Sequence, residues 1–125
     1  MGIEHIAQLT NLSISNLRKS PETAEMLSTG RIQAVTADGR LGWEAEAPYD
    51  AIHVGAAAEG WWVVERLVGQ LKNGGRLFIP VSDEDVQDGE QWVWEVDKDE
   101  QGEVKKRKCH GVMYVPLTDR REFTQ

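Results

Sequence analysis

The order of strand-like and helix-like segments is the feature that most constrains the fold of this 125-residue chain. Short apolar runs predict buried strands, and apolar residues spaced three and four apart predict amphipathic helices. The two kinds of segment alternate, which is typical of an α/β protein with parallel strands and right-handed crossovers. The predicted strands are residues 1–4, 31–37, 50–55 and 76–81, and the predicted helices are residues 5–20, 23–29 and 64–71.

The last third of the chain departs from this alternation and predicts an antiparallel hairpin. Residues 91–96 alternate apolar side chains with others, as a strand does, and residues 97–102 form a polar turn. Residues 104–117 then supply the second strand. The helix that precedes the hairpin region should end at Asn73-Gly74-Gly75, because glycine readily takes the left-handed conformation that a helix end requires.

Composition limits the class of protein. At 125 residues the chain is one domain at most, and its 40% hydrophobic and 28% charged residues are ordinary for a globular protein. The net charge of −7 disfavours nucleic acid as a main partner, because phosphates require a basic surface. No apolar run approaches the roughly 20 residues of a membrane span, and the N-terminus lacks the pattern of a secretory signal. Cys109, the single cysteine, excludes an internal disulfide and favours a reducing cytosol.

Charge is distributed unevenly along the chain. Acidic residues dominate the segment 82–103, in which Lys98 is the single basic residue, and Lys105-Lys106-Arg107-Lys108 follows directly. The basic run fits a nuclear address or an anion-binding patch. It also fits a solvated strand edge, where lysines discourage aggregation between strands and pair with acidic neighbours. The edge strand is the favoured interpretation.

Several signatures of catalytic and metal sites are missing from the sequence. No G-x-G motif is present, so no glycine-rich loop brings a helix N-terminus to a phosphate or a cofactor tail. His5, His53 and His110 are too far apart to indicate a local metal site. We therefore assign no catalytic residue and no metal ligand.

Two acidic positions have both a functional and a plain interpretation. Glu4 ends a predicted strand just before a helix, where an acidic residue of a doubly wound sheet accepts hydrogen bonds from the hydroxyls of an adenosine ribose. The residues alone favour simple capping of the helix. Asp38-Gly39 is either a turn dipeptide or a loop whose acid and backbone face an adenine at the carboxyl edge of the sheet.

Six short segments then identify a family. They are residues 2–6 (GIEHI), 28–31 (STGR), 38–42 (DGRLG), 47–58 (APYDAIHVGAAA), 71–77 (LKNGGRL) and 111–119 (GVMYVPLTD). Together and in this order they closely resemble protein-L-isoaspartate O-methyltransferases, from residue 1 to about residue 120. Residues 50–55 alone would fit many Rossmann-like methyltransferases, and the closing YVPLT narrows the match to this family.

The resemblance implies a partial Rossmann-like class I methyltransferase fold, with residues 1–125 forming a single partial domain. It implies S-adenosyl-L-methionine as the methyl donor. The acceptor is the side-chain carboxylate of L-isoaspartyl residues in damaged proteins or peptides, and the methyl ester that forms collapses to a succinimide, which allows partial repair. The expected location is cytoplasmic, with no nucleic-acid partner and no membrane association.

The resemblance also implies a role for individual residues, each with a plain alternative. Glu4 would bind the ribose, and His5 would lie beside the adenosine or be a polar residue at a helix start. Asp38 and Gly39 would line the adenine. Thr118 would lie near the cofactor site or be a turn residue. Val115 would lie on the strand along which the isoaspartyl peptide aligns, or be part of the core.

The chain also departs from the family pattern. Relatives carry a glycine-rich cofactor loop and a serine-containing active-site segment before Gly2, so we expect this chain to be a truncated form that is inactive alone. The missing strand would lie between the strands ending at Glu4 and at residues 50–55, which predicts self-association through unpaired sheet edges. Glu59-Gly60-Trp61-Trp62 replaces a proline-containing turn. The alternative function is a non-catalytic binding module that associates with a partner chain; a Rossmann dehydrogenase rests on Glu4 alone.

Overall fold

The computed structural model describes residues 1–82 and 89–118. These residues form the α/β arrangement that the sequence predicts, in two compact units: residues 1–39 with residue 118, and residues 40–117. The prediction that residues 1–125 form one partial domain stays a prediction. In chain order the elements are β1 (Gly2–Glu4), α1 (Ala7–Leu17), α2 (Pro21–Ser28), β2 (Ala34–Thr36), β3 (Tyr49–His53), α3 (Trp61–Val68), β4 (Leu71–Ser82), β5 (Gln91–Lys98) and β6 (Val104–Val112).

The first unit is a two-stranded parallel sheet with two helices in its crossover. β1 pairs with β2 in the register Gly2↔Ala34 to Glu4↔Thr36. Pro21 is the first residue of α2, where its missing N–H costs nothing, and Gly30 follows the helix at a φ of 76°. The buried Thr10 of α1 accepts a hydrogen bond of 2.9 Å from the Thr36 hydroxyl, which ties the helix to the end of β2.

The second unit is a four-stranded sheet in the order β3-β4-β5-β6. β3 is parallel to β4, and the remaining pairs are antiparallel, so the predicted hairpin is confirmed, although its second strand ends at Val112 and not at residue 117. Its turn is closed by Asp99, whose Oδ1 accepts hydrogen bonds of 2.9 Å from the backbone N–H groups of Gln101 and Glu103. One face of the sheet packs against α3. The shared core consists of Ala58, Val63, Val64, Leu67, Leu71, Leu77, Ile79, Val81 and Val96.

The predicted end of the third helix is wrong. α3 ends at Val68 with Gly69 as its C-cap, and Asn73-Gly74-Gly75 lies inside β4. The pairing of β3 with β4 jumps from Tyr49↔Leu71 to Ala51↔Arg76, so the glycines absorb an irregularity in the sheet. Gly74 has a φ of 83°, and its N–H donates to the Asp99 carbonyl at 3.3 Å. The Asn-Gly-Gly sequence correctly predicted a left-handed backbone conformation, but that conformation occurs at Gly74 inside β4 and not at the end of α3.

The basic run is an edge strand, as the favoured interpretation predicted. It lies on β6, which is the last strand in the sheet order of the described residues. Arg107 donates to the Glu95 carboxylate at 2.5 and 3.0 Å, which confirms the pairing with an acidic neighbour. Lys106 and Lys108 instead lie over the rings of Trp61 and Trp92, at 4.5 and 4.1 Å from the centroids.

The adjacent tryptophans point to different surroundings, because neighbouring residues cannot share one helix face. Trp61 packs edge-on against Trp94, with 5.0 Å between ring centroids, and lies against the core. Trp62 is 47% exposed.

The parallel strands are less buried than the sequence predicts. In β3, Asp50, Ala51 and His53 are exposed, and β1 contains no buried residue. Within residues 1–82 and 89–118, β1 pairs with β2 alone and β3 pairs with β4 alone, which leaves one edge of each strand open. None of the helices among these residues has the length and apolarity needed to cross a membrane. Residues 83–88 of the acidic segment and Asp119 of the last family segment lie outside the described residues.

Candidate functional site: the carboxyl edge of a parallel sheet

The ends of β1 and β2 bring together four of the predicted cofactor residues. Glu4 is opposite Thr36 in the sheet, and its carbonyl oxygen accepts a hydrogen bond of 3.0 Å from the N–H of Ala37. Asp38 follows Ala37, and Gly39 begins a short 3-10 helix, Gly39–Leu41. Glu4 is the last residue of β1 and His5 follows it, and Asp38 and Gly39 follow the end of β2. All four therefore lie at the carboxyl ends of neighbouring parallel strands, where open α/β sheets bind ligands.

The Glu4 carboxylate is anchored through one oxygen. Its Oε1 accepts a hydrogen bond of 3.0 Å from the backbone N–H of Ile6, the N-cap residue of α1, and lies 3.0 Å from Nδ1 of His5. The interpretation of Glu4 as a helix-capping residue is therefore correct in part, since its carboxylate accepts a hydrogen bond from a backbone N–H at the helix start. Among the described residues no hydrogen bond engages Oε2, and the side chain is 35% exposed. Oε1 therefore holds the carboxylate, and Oε2 makes no hydrogen bond with the described residues.

Asp38 and Gly39 lie on the loop that leaves β2. Both are half-buried, so neither is a fully solvated turn residue. Asp38 has no regular secondary structure and Gly39 begins the 3-10 helix Gly39–Leu41, so the dipeptide is the end of a loop and the start of a short helix.

Thr118 and Val115 fall in different compact units. Thr118 is a buried polar residue of the first unit, with 6% of its surface exposed, and belongs to the same unit as Glu4 and Asp38. Val115 belongs to the second unit and is 67% exposed, which excludes the plain interpretation of Val115 as a core residue. A large apolar side chain exposed at this level on an extended segment is available for contact with a ligand.

Val115 lies on a segment held by backbone hydrogen bonds. The N–H of Ala57 donates to the Val115 carbonyl at 2.8 Å, and the N–H of Leu117 donates to the Ala57 carbonyl at 2.7 Å. Gln91 holds the preceding residue, Tyr114, through both ends of its side-chain amide. The segment is therefore extended and fixed although it lies outside the named strands.

Sequence reasoning missed two glutamines that shape these loops. Gln70, which is 4% exposed, accepts from the N–H of Trp43 at 2.8 Å and donates to the Leu41 carbonyl at 2.9 Å. Gln91 makes the equivalent pair of bonds to Tyr114. The partners of both glutamines lie more than 20 residues away in sequence, so no local sequence pattern indicates these contacts.

Comparison with known proteins identifies the family. The family model of protein-L-isoaspartate(D-aspartate) O-methyltransferase matches residues 1–122. The chain belongs to this family. A protein-L-isoaspartate O-methyltransferase of Caenorhabditis elegans is 43% identical over 122 residues, which are 98% of this chain and 51% of the relative. Protein-L-isoaspartate O-methyltransferase 2 of Arabidopsis thaliana is also 43% identical over 122 residues, 98% of this chain and 37% of that protein. The chain thus spans about half the length, or less, of these curated relatives.

Solved structures agree with the fold. A Plasmodium falciparum protein-L-isoaspartate O-methyltransferase beta-aspartate methyltransferase, in complex with S-adenosyl-L-homocysteine, superimposes with a TM-score of 0.72 at 25% identity. The superposition covers 95% of this chain and 52% of that one. A second protein-L-isoaspartate O-methyltransferase gives a TM-score of 0.68 at 20% identity, which supports the fold alone. The chain therefore has a partial α/β methyltransferase fold, as the six segments predicted.

Proposed function

We propose that this chain carries the adenosine-binding half of a protein-L-isoaspartate O-methyltransferase. The full activity is S-adenosyl-L-methionine-dependent methylation of the side-chain carboxylate of L-isoaspartyl residues in damaged proteins. The observation that carries the proposal is the meeting of Glu4 with Asp38 and Gly39 at one sheet edge, closed by the Ala37 to Glu4 hydrogen bond. This arrangement suits an adenosine, because doubly wound sheets bind the ribose and the base at the carboxyl ends of their strands.

The residues at this edge fit the cofactor. Oε2 of Glu4 would accept from ribose hydroxyls while Oε1 stays bonded to the Ile6 N–H. Charge-assisted bonds of this kind are stronger than neutral ones, so a carboxylate is the better acceptor there. His5 would lie beside the adenosine, Asp38 and Gly39 would line the adenine, and Thr118 would lie near the site from the C-terminal segment.

The chain's own contribution to the reaction is positioning. S-adenosyl-L-methionine, when bound, supplies an electrophilic methyl group, and the isoaspartyl carboxylate is the acceptor. Reactions of this type depend on holding donor and acceptor in line at short distance. Val115, exposed on a fixed extended segment, would align the backbone of the isoaspartyl peptide. We assign no catalytic residue within the chain.

We further propose a cytoplasmic location, with isoaspartyl-containing proteins or peptides as partners. The open edges of β1 and β3 support a second candidate, in which the chain is a non-catalytic module that pairs with another chain through those edges. The two candidates differ in ligand binding. A module of this kind has no need for selective recognition of S-adenosylhomocysteine.

Calorimetric titration of S-adenosyl-L-homocysteine into the chain tests the proposed function. Glu4→Gln should weaken binding roughly tenfold, because a hydrogen bond to a charged group contributes about 1.5–3 kcal/mol. Glu22→Gln is the matched control, since Glu22 lies in the first turn of α2 away from the strand ends. Unchanged affinity in the Glu4 variant would return Glu4 to a capping role, and equal loss in both variants would show a general effect of charge. No measurable binding by the wild-type chain would contradict an adenosine site in these residues.

A further inference from the structure

We infer that Gln91 is a positioning residue for the segment that receives the peptide substrate. The inference rests on the proposed function, because it takes Val115 as the residue that aligns the isoaspartyl peptide. Gln91 lies at the start of β5 and its side chain contacts Tyr114, the residue before Val115. Nothing in its local sequence indicates this role.

The Gln91 side chain continues the sheet beyond the end of β6. The backbone of Gln91 is opposite Val112, the last residue of that strand. Its side-chain Nε2 donates to the Tyr114 carbonyl at 3.1 Å, and its Oε1 accepts from the Tyr114 N–H at 2.5 Å. The amide group therefore makes the two bonds that a residue on a neighbouring strand would make.

A second anchor follows within three residues. Ala57, which is fully buried, accepts from the Leu117 N–H and donates to the Val115 carbonyl. Pro116 lies between the two bonded residues and pairs with Ala57 in a parallel bridge. Gln91 thus fixes the segment on one side of Val115, and Ala57 fixes it on the other.

The exposed side chains show why this segment needs fixing. Met113 is 97% exposed and Val115 is 67% exposed, so neither is anchored by burial. An extended peptide loses affinity when its receiving strand must be ordered on binding, because each residue fixed costs conformational entropy. Gln91 removes part of that cost by ordering the backbone in advance.

The test compares two ligands on the 125-residue chain. Binding of an extended peptide with a central L-isoaspartate and binding of S-adenosyl-L-homocysteine are each measured by calorimetry. Gln91→Glu keeps an acceptor for the Tyr114 N–H but places a carboxylate against the Tyr114 carbonyl, and Gln91→Asn is too short to reach. Both variants should raise the dissociation constant for the peptide about tenfold. Both should leave the constant for S-adenosyl-L-homocysteine within about twofold.

Gln101→Glu is the control, because it adds the same charge as Gln91→Glu at the exposed β5–β6 turn. It should bind both ligands as the wild type does. Loss of affinity for both ligands together in the Gln91 variants would show a merely structural role and overturn the inference, as would unchanged peptide affinity. Failure of the wild-type chain to bind the peptide while it binds S-adenosyl-L-homocysteine would instead overturn the peptide role of Val115, and the inference with it.

Discussion

The backbone N–H of Ala37 donates a hydrogen bond of 3.0 Å to the carbonyl oxygen of Glu4. This bond extends the β1–β2 ladder by one residue past Thr36, so the loop to Asp38 and Gly39 starts beside the Glu4 backbone. Two acidic residues that are 34 positions apart in the printed sequence consequently follow adjacent strand ends. A ligand with a ribose and a base attached to it can be bound by such a pair.

Asp38 should contribute to adenine binding. We expect Asp38→Ala to weaken binding of S-adenosyl-L-homocysteine about tenfold, since a half-buried carboxylate is lost from the proposed adenine side of the site. Calorimetry measures this effect. Asp50→Ala is the control, because Asp50 lies at the start of β3 and is paired only with the exposed Lys72 within the described residues. Equal affinity of the Asp38 variant and the wild type would remove Asp38 from the site.

The hydrogen bonds of Gln70 to Leu41 and Trp43 predict how a substitution at Gly42 changes stability. Gly42 has a φ of 64°, and a Cβ there would lie 2.2 Å from Oε1 of Gln70. Gly42→Ala must therefore displace a buried glutamine that is bonded to Leu41 and Trp43. We expect a loss of roughly 2–4 kcal/mol in unfolding free energy, from backbone strain together with broken buried hydrogen bonds.

Gly30→Ala is the matched control for that variant. Gly30 also has a positive φ, 76°, but a Cβ there meets nothing within 4 Å. It should cost about 1 kcal/mol through backbone strain alone. Denaturant unfolding measures both values. Equal costs would show that Gln70 moves aside freely and does not clamp the loop.

Features of the fold that depend on residues close together in sequence could be predicted, and features that depend on residues far apart in sequence could not. The strands and helices follow from local patterns, and the hairpin was placed correctly because alternation and a polar turn are local signals. The end of α3 was misplaced because Asn73-Gly74-Gly75 serves the pairing of β4 with β3 and the contact with Asp99, which are not local. Glu4 and Asp38 were singled out by their positions near predicted strand ends, and the family resemblance favoured the cofactor roles over the plain alternatives. Their connection through Ala37 is visible only in the fold.

The charged face of the second sheet makes a prediction about pH. Arg76 donates two hydrogen bonds to Asp97, at 2.7 and 3.0 Å. The hydrogen bond from Arg76 is the main cause that lowers the pKa of Asp97 below its usual range, and the positive charges of Arg76 and Arg107 add to it against partial burial. A carboxyl whose pKa is lower in the folded chain stabilises the fold above its unfolded pKa of about 3.9, and the effect is lost as pH falls through the folded pKa.

Asp97→Asn should therefore lower the melting temperature near neutral pH and have a smaller effect at about pH 3, which is below the unfolded pKa. The effect at neutral pH should be small, because the pair is largely exposed to solvent. Thermal unfolding at the two pH values measures the effect of the substitution. Asp99→Asn is not a suitable control, because Asp99 closes the hairpin turn. A loss that is the same at both pH values would show that the ion pair contributes nothing that depends on the Asp97 charge.

The open strand edges make a prediction about association. Within residues 1–82 and 89–118, β1 and β3 each have one edge without a strand partner, and such edges bind other strands. We therefore expect the 125-residue chain to self-associate with increasing concentration despite its net charge of −7. Light scattering across a dilution series measures this. A hybrid that joins the chain to the part of the C. elegans relative outside the matched 51% should be less prone to associate and should melt at a higher temperature. A monomeric chain with a sharp transition that the added portion leaves unmoved would contradict open edges on β1 and β3.

Methyl transfer by the same hybrid tests the central claim most directly. Incorporation of radiolabelled methyl groups is measured with an L-isoaspartyl peptide and with the matching L-aspartyl peptide, for the hybrid, its Glu4→Gln variant and the chain alone. We predict transfer to the isoaspartyl peptide by the hybrid, a marked loss in the Glu4→Gln variant, and no appreciable transfer by the chain alone, since half a site cannot position the donor against the acceptor. A folded hybrid that binds S-adenosyl-L-homocysteine and transfers no methyl group to the isoaspartyl peptide would contradict the account.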